Sequence, residues 1–260
     1  MNAPGDARLV VVGCGIQAAR HLSRRSEAEI RRADSVFVLA DPMGLEQIKT
    51  LNPRTESLDG LYGESRDRRE TYRDMEARIL SAVEAGQAVC AVFYGHPGVF
   101  ADVPHDVIRR ARQLGAVATM EPGISAEACL YADLGIDPGS RGVQSFEATR
   151  FLAYRHKLDP TALVLLWQVA LTGNLAHLGF QPDPRRLALL VEKLLHDYPP
   201  DTPIILYEAA QLAIEEFRAE SLTLACLPGA RYKEWTTLVI PPVREAEPDE
   251  AWLSRLQALD

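Results

Sequence analysis

The sequence predicts an α/β protein built from two α/β domains. Four apolar, β-rich runs alternate with three helical patterns in the first half of the chain. The runs cover 9–12, 36–40, 88–93 and 116–120, and the helical patterns cover 17–32, 66–85 and 104–114. This alternation is typical of a mostly parallel sheet. Two of the runs pass directly into glycine-containing bends, which indicates a nucleotide-like ligand at the carboxyl ends of parallel strands.

Pro122-Gly123 interrupts the chain after the first set of elements and places a domain boundary near residue 121. A less regular second set follows, with helical patterns at 125–134 and 184–197 and apolar runs at 162–169, 204–207 and 235–240. We therefore expect an N-terminal domain over 1–120, a C-terminal domain over 121–243 and a tail over 244–260.

The tail begins with acidic residues and then carries an apolar stripe at helical spacing, formed by Trp252, Leu253, Leu256 and Leu259. This pattern predicts an amphipathic helix whose stripe packs on the body of the protein or on a partner. A docked terminal helix is the favoured interpretation.

Composition narrows the class of protein. An apolar fraction of 47% in 260 residues supports a substantial core, and a net charge of −8 disfavours nucleic acid or an anionic membrane as partner. The four cysteines form no CxxC pair and have no histidines at metal-ligand spacing, so we predict no metal site and reduced thiols. With no signal-like segment or membrane span, a cytoplasmic protein is expected.

The two glycine bends have the composition of loops that a ligand can approach. Leu9–Val12 leads into Gly13-Cys14-Gly15, and the run 88–93 leads into Tyr94-Gly-His-Pro-Gly-Val-Phe100. Glycines tolerate positive φ, and Pro97 fixes its own φ and lacks an amide hydrogen. Residues 13–18 read Gly-Cys-Gly-Ile-Gln-Ala, so the third glycine of a dinucleotide fingerprint is missing. An NAD-type oxidoreductase is therefore a remote alternative.

Several motifs together resemble the tetrapyrrole methylase superfamily of S-adenosylmethionine (SAM) enzymes, and most of all its borosin peptide backbone α-N-methyltransferases. Besides the two glycine bends, the resemblance rests on Pro122-Gly-Ile-Ser-Ala-Glu127, Gln144-Ser-Phe-Glu-Ala148, Leu166-Trp-Gln168, Ile204-Ile-Leu-Tyr-Glu208 and Thr236-Thr-Leu-Val-Ile-Pro-Pro242. It extends from about residue 9 to Pro242. Gly95-His96-Pro97 departs from the Gly-Asp-Pro type motif usual in corrin and porphyrin methylases, which favours the peptide branch.

The resemblance implies two domains of the tetrapyrrole methylase type with SAM in the cleft between them. It also implies a ribosomally made precursor peptide as substrate, either fused to the enzyme or supplied separately. Because residues 244–260 contain no long run of Val, Ile, Leu or Gly, we expect a separate precursor. As in split members of this family, a homodimer is expected, which with the precursor would form a heterotetramer.

Residues for the SAM site follow from the matching motifs. Gly13 would shape the cleft, the loop residues Gly95, His96, Val99 and Phe100 would surround SAM, and Ser125 and Ala126 would meet its carboxylate at a helix start. Gln168, Tyr207, Thr236 and Thr237 would contact other parts of SAM. Structural interpretations remain open: His96 as a turn histidine, Ser125 as a simple N-cap, and the buried Gln and Thr as ordinary hydrogen-bonding residues.

The substrate side is implied by a second group of residues. Arg68 and Tyr72 are four apart and share a helix face. In borosin enzymes the matching Arg-x-x-x-Tyr pair, with a tyrosine upstream, lies beside the methylated peptide, so Arg68, Tyr72 and Tyr62 are the expected catalytic residues, with Tyr94 on the same side. Arginine would polarise the amide oxygen, and a tyrosine would donate to it or, with a lowered pKa, accept the amide proton.

Other interpretations stay open beside this one. Residues 66–70 form a mixed-charge run that is typical of a solvated helix face. A corrin- or porphyrin-type small-molecule methylase is the first functional alternative. A member that binds the precursor without catalysis is the second.

Overall fold

The computed structural model describes residues 7–63 and 66–259. The chain forms two compact units. Unit 1 contains the residues up to Ile136 together with Asn174–Phe180 and Glu208–Arg218. Unit 2 contains Asp137–Gly173, Gln181–Tyr207 and the residues from Ala219 onward. In the described part of the chain, no helix has the length and apolar character needed to cross a membrane.

Unit 1 contains a parallel sheet of five strands, in the order β3-β2-β4-β1-β5. The strands are β1 (Arg8–Gly13), β2 (Ser35–Leu39), β3 (Thr55–Ser57), β4 (Ala88–Phe93) and β5 (Val117–Glu121). The parallel sheet predicted from the first half of the sequence is confirmed. Short β3, which carries no apolar run, was not predicted.

Six helices accompany this sheet: α1 (Ala18–His21), α2 (Arg24–Arg32), α3 (Pro42–Leu51), α4 (Arg68–Glu84), α5 (Asp102–Gln113) and α6 (Ala126–Leu134). The single helix expected over 17–32 is wrong. Leu22 is extended, and the Ser23 hydroxyl accepts a hydrogen bond from the Ser26 amide, which starts a new helix. Helix α3, capped by Asp41, was not predicted either.

The core of unit 1 lies on both faces of the sheet. In β1, Leu9 and Val11 pack with residues of α4 and α5, whereas Val10 and Val12 pack with residues of α2 and α3. Alternate side chains of one strand thus enter two separate apolar clusters. Because both faces are covered, the strands read as continuous apolar runs.

A buried carboxylate connects α2 to the sheet. The Glu29 side chain is fully buried and forms ion pairs with three arginines: Arg8 of β1, and Arg25 and Arg32 of α2. Arg25 also pairs with Glu121 of β5. Several partners compensate the lost hydration of one buried charge, so this network is part of the scaffold.

Unit 2 is built on a mixed sheet in the order β6-β7-β10-β8-β9. The strands are β6 (Val143–Glu147), β7 (Leu163–Trp167), β8 (Pro203–Glu208), β9 (Arg218–Thr223) and β10 (Thr237–Ile240). Strands β6 and β7 are parallel, and β10 runs antiparallel to β7 and to β8. The apolar runs predicted β7, β8 and β10. The more polar edge strands β6 and β9 were not predicted.

Helices α7 (Pro138–Arg141), α8 (Ala148–Ala153) and α9 (Pro184–Leu194) also belong to this unit. Lys193 of α9 places its ammonium group on the carbonyl oxygens of Phe151, Leu152 and Tyr154. A cation at the carbonyl end of α8 satisfies acceptors that have no partner within the helix. The contact ties α8 to α9.

The tail forms the expected amphipathic helix, α10 (Glu250–Gln257), which begins at the cap residue Asp249. Its docking on the body of the protein is not observed. The exposed fractions are 59% for Trp252, 61% for Leu256 and 83% for Leu259. Leu253 is 40% exposed, so the apolar stripe is largely exposed in the described part of the chain.

Candidate active site

Three glycines bring the loops after β1, β4 and β5 into direct backbone contact. A Cβ atom on Gly13 would lie 2.4 Å from the Gly95 carbonyl oxygen and 2.8 Å from the Gly123 Cα. Gly15 and Gly95 exchange two backbone hydrogen bonds of 3.1 and 3.0 Å. Parallel strands end at the same edge of a sheet, and here the three loops pack there with no space for a side chain. The observed role of Gly13 is thus close packing.

The loop after β4 exposes two of the predicted SAM residues. The His96 Nδ1 accepts a hydrogen bond of 2.9 Å from the Gly98 amide, as a turn histidine does. Val99 and Phe100 are 37% and 46% exposed. Phe100 has a φ of 51°, a conformation that costs a non-glycine residue energy. Both apolar residues of this loop are thus partly exposed.

Tyr94 lies at the start of the same loop, with its amide bonded to the Leu39 carbonyl. More than a third of the residue is exposed. Its phenol lies near Cys129, Cys14 and Asp41, and desolvation, reinforced by these groups, raises the pKa of Tyr94 to about 12. These neighbours differ from those of the other three expected catalytic residues.

Ser125 is the N-cap of α6, and its hydroxyl accepts a hydrogen bond of 3.2 Å from the Ala128 amide. Ala126 is the first residue of this helix. Ser125 therefore serves as a helix N-cap. The remaining free amides of the first turn still point out of the helix end, where they favour an anion.

Unit 2 brings its four predicted SAM residues to one edge of its sheet. Tyr207 and Thr237 are directly opposite each other on β8 and β10. The Val169 amide, next to Gln168, donates to the Thr236 carbonyl at 3.1 Å. Gln168 has a φ of 55°, so it too is a non-glycine residue in the left-handed region. Tyr207, Thr236 and Thr237 are buried.

Tyr62, Arg68 and Tyr72 form one cluster in unit 1. Arg68 is the first residue of α4, and Tyr72 follows one turn later. The Tyr62 hydroxyl lies near that of Tyr72 and near the Arg68 charge. Burial, followed by the contact with Tyr72, raises the pKa of Tyr62 above its ordinary value. The spacing of Arg68 and Tyr72 predicted their shared face, and the structure brings Tyr62 to it.

Arg68 differs from the other arginines of the charged run. Arg66 pairs with Glu70 and Asp74, and Arg69 pairs with Asp67. Between Arg68 and the acidic residues of the described ranges 7–63 and 66–259, no ion pair is found. Its guanidinium carbon lies instead 5.1 Å from the centre of the Phe180 ring. The solvated-face interpretation therefore fits Arg66 and Arg69, but not Arg68.

Sequence reasoning missed two contributors to this cluster. Phe180 packs edge-on against Tyr62 with ring centres 6.2 Å apart, and the His177 carbonyl accepts a hydrogen bond of 3.3 Å from the Arg68 amide. Both residues belong to the segment Asn174–Phe180, which is far from Arg68 in sequence but part of unit 1. No local pattern in this segment indicated the contact.

Residues 8–225 match the family model for Tetrapyrrole (Corrin/Porphyrin) Methylases. The chain belongs to the tetrapyrrole methylase family. Two solved structures have the same fold as this chain. Uroporphyrin-III-C-methyltransferase from Thermus thermophilus superposes with a TM-score of 0.64 at 19% identity, covering 92% of this chain and 93% of that one. Diphthine synthase gives 0.58 at 18% identity, covering 92% and 91%.

Relatives of higher sequence identity are named as both methyltransferase and ribosomally synthesized peptide precursor. A type I borosin cyclic peptide precursor of Coprinopsis marcescibilis is 39% identical over 228 residues, which are 86% of this chain and 58% of the relative. The gymnopeptides precursor of Gymnopus fusipes is 33% identical, with 96% and 61% covered. This chain thus spans about three fifths of the length of these relatives.

Proposed function

We propose that this chain transfers methyl groups from SAM to backbone amide nitrogens of a ribosomally made peptide. The single observation that carries the proposal is the Arg68 cluster. A guanidinium without an acidic partner in the described part of the chain lies beside two neighbouring phenols. The names of the relatives, which describe cyclic peptide precursors, support a peptide substrate.

An amide nitrogen is a poor nucleophile because its lone pair is delocalised into the carbonyl. Donors aimed at the carbonyl oxygen stabilise the imidate form, in which the nitrogen carries more electron density. The guanidinium of Arg68 stays charged at any physiological pH and offers several N–H donors. Its placement on a ring face leaves these donors available, since a ring has no acceptor oxygen.

The phenols act as neutral donors in this scheme. A lowered tyrosine pKa, which would make a phenol the proton acceptor, is not found at Tyr62 or Tyr94, because burial raises the pKa of both. Tyr62 therefore keeps its proton, and its hydroxyl would orient the neighbouring Tyr72 hydroxyl toward the substrate carbonyl. The amide proton is then released to solvent. Holding the peptide in this orientation adds the advantage of proximity.

The residues of each unit suit SAM as cofactor. In unit 1 the free amides at the start of α6 match a carboxylate, and the partly exposed apolar Val99 and Phe100 match a flat or aliphatic group. In unit 2 the candidate residues are Gln168, Tyr207, Thr236 and Thr237, whose amide and hydroxyl groups match sugar hydroxyls and ring nitrogens. When bound, SAM supplies the electrophilic methyl carbon of its sulfonium.

The proposal extends to a precursor supplied as a separate chain and to a homodimer that binds it. The relatives are named as methyltransferase and precursor together, so a separate precursor is the part of the proposal that needs its own test. Light scattering of the chain alone and with added precursor measures both features. We expect the mass of a homodimer for the chain alone, and the mass of a homodimer with two bound precursors after precursor is added.

The decisive test is methylation of an added peptide by the 260-residue chain. A peptide rich in Val, Ile and Gly is incubated with isotopically labelled SAM, and intact mass and fragmentation report the number and position of methyl groups. We expect stepwise addition on backbone nitrogens. Arg68→Ala should lower the rate by about 1,000-fold, which corresponds to about 4 kcal/mol of transition-state stabilisation, while SAM affinity stays unchanged.

Arg69→Ala is the matched control because Arg69 is the exposed neighbour that pairs with Asp67. It should retain the wild-type rate. Equal rates for Arg68→Ala and wild type would remove the proposed mechanism. Methylation of a precorrin or porphyrin, but of no peptide, would identify the small-molecule alternative. SAM binding without any turnover would identify a precursor-binding member.

A further inference from the structure

The segment Asn174–Phe180 forms a turn that is held by its own hydrogen bonds. The buried Asn174 side chain donates a hydrogen bond of 2.8 Å to the Leu178 carbonyl, and the His177 amide donates to the Asn174 carbonyl at 3.2 Å. His177 has a φ of 54° and Gly179 a φ of 59°. The left-handed conformation is unfavourable for histidine, so the surrounding contacts must hold it. Such local strain often accompanies a functional constraint.

This turn holds Arg68 at two points. The His177 carbonyl accepts from the Arg68 amide, one of the first amides of α4 that have no partner within the helix. Phe180, three residues later, places its ring face at 5.1 Å from the guanidinium carbon. The same ring contacts Tyr62, so Phe180 joins the guanidinium to the phenol pair.

The contact between Arg68 and the Phe180 ring leaves the guanidinium N–H groups available to a substrate. An ion pair with a carboxylate would occupy the guanidinium N–H groups, as it does for Arg66 and Arg69. A ring face attracts the cation through its quadrupole and accepts no conventional hydrogen bond. It therefore restricts the conformation of Arg68 without consuming its donors.

We propose that Phe180 is a positioning residue for methyl transfer, which fixes the Arg68 guanidinium beside Tyr62 through its ring face. This inference rests on the proposed function for its catalytic consequence. The placement itself is independent of that function. Two kinds of measurement can therefore separate the two claims.

The first measurement is NMR of the ligand-free protein, with the Arg68 side-chain Hε signal assigned by its loss in Arg68→Lys. The Phe180 ring current should shift this signal in the wild type. Phe180→Leu, which keeps much of the volume and removes the ring, should return the signal toward the position of a free arginine. Phe180→Trp should retain a shift. An Arg68 signal that Phe180→Leu leaves unchanged would overturn the placement.

The second measurement is the rate of peptide methylation. Phe180→Leu should lower kcat by about tenfold, equivalent to about 1.4 kcal/mol, with unchanged SAM affinity and thermal midpoint. Phe180→Trp should restore the rate. In an Arg68→Lys background, Phe180→Leu should have a smaller effect than in wild type, because the two residues act together.

Equal loss of kcat in Phe180→Leu and Phe180→Trp, or additive losses in the Arg68→Lys background, would overturn the positioning role. If the wild-type chain methylates no peptide, the proposed function fails. The NMR result then still decides whether Phe180 holds Arg68.

Discussion

Two regions of unit 1 are held together in opposite ways. Gly13, Gly95 and Gly123 meet through their backbones, so the contact has no space for any side chain. Tyr62, Arg68 and Phe180 meet through side chains that extend from separate parts of the unit. Substitution in the first region should therefore change the fold, and substitution in the second should change the chemistry while the fold persists.

The largest effect on stability is expected from Gly13→Ala. Its added methyl would meet the Gly95 oxygen and the Gly123 Cα, both backbone atoms that cannot rotate away. We expect a loss of about 3 kcal/mol in the free energy of unfolding, measured by urea denaturation. Gly229→Ala is the control, because nothing lies within 4 Å of the added atom. Equal midpoints for the two variants would contradict the packing described for the glycines.

A smaller effect, on rate alone, is expected from Tyr72→Phe. The substitution removes the hydroxyl that lies near that of Tyr62 and keeps the ring. Methyl transfer should slow by about 30-fold, or about 2 kcal/mol, while the thermal midpoint stays within about 2 °C of wild type. Tyr154→Phe, at an exposed tyrosine of unit 2, should change neither quantity. A thermal midpoint lowered along with the rate would mean that the cluster belongs to the scaffold.

The pH dependence of the rate sharpens the role of the phenols. Because burial raises the pKa of Tyr62 above its ordinary value near 10, this hydroxyl stays protonated across the neutral range. The ratio of wild-type to Tyr62→Phe rates should then be constant from about pH 7 to 10, measured in single turnovers. A ratio that rises with a pKa below 9 would show that Tyr62 accepts a proton. The stabilisation from its raised pKa is present below pH 10 and lost above it.

The smallest effect is expected at His21, beside the glycine bend. Its Nδ1 accepts hydrogen bonds of 3.2 Å from the Ile16 and Gln17 amides. Burial, then the charge of Arg20, lowers the pKa of His21, although Asp133 acts in the opposite direction. Since the unfolded chain takes up the proton first, stability should be full above pH 6.5 and fall below it.

His21→Asn keeps an acceptor near this position and removes the titration. The thermal midpoint of the variant should therefore depend less on pH between about 5 and 7 than that of wild type. Parallel curves for the two proteins would show that the histidine proton has no part in holding the glycine bend.

The sequence predicted elements that depend on neighbouring residues and missed elements that depend on distant ones. Apolar runs predicted β1, β2 and β4, because strands buried on both faces carry their pattern locally. Edge strands β6 and β9 lack such runs, and their pairing depends on a neighbouring strand. The break between α1 and α2 depends on one extended residue and one serine cap, which an apolar periodicity over 17–32 does not reveal.

Within the candidate site, the amino-acid sequence alone determined the glycine bends and the shared helix face of Arg68 and Tyr72. Both features depend on neighbours a few positions away. Folding added Tyr62 and Phe180 to that face and gave Tyr94 other neighbours. It also left the stripe of α10 exposed. Contacts between distant segments depend on how whole elements pack, and no local pattern of residue types encodes that packing.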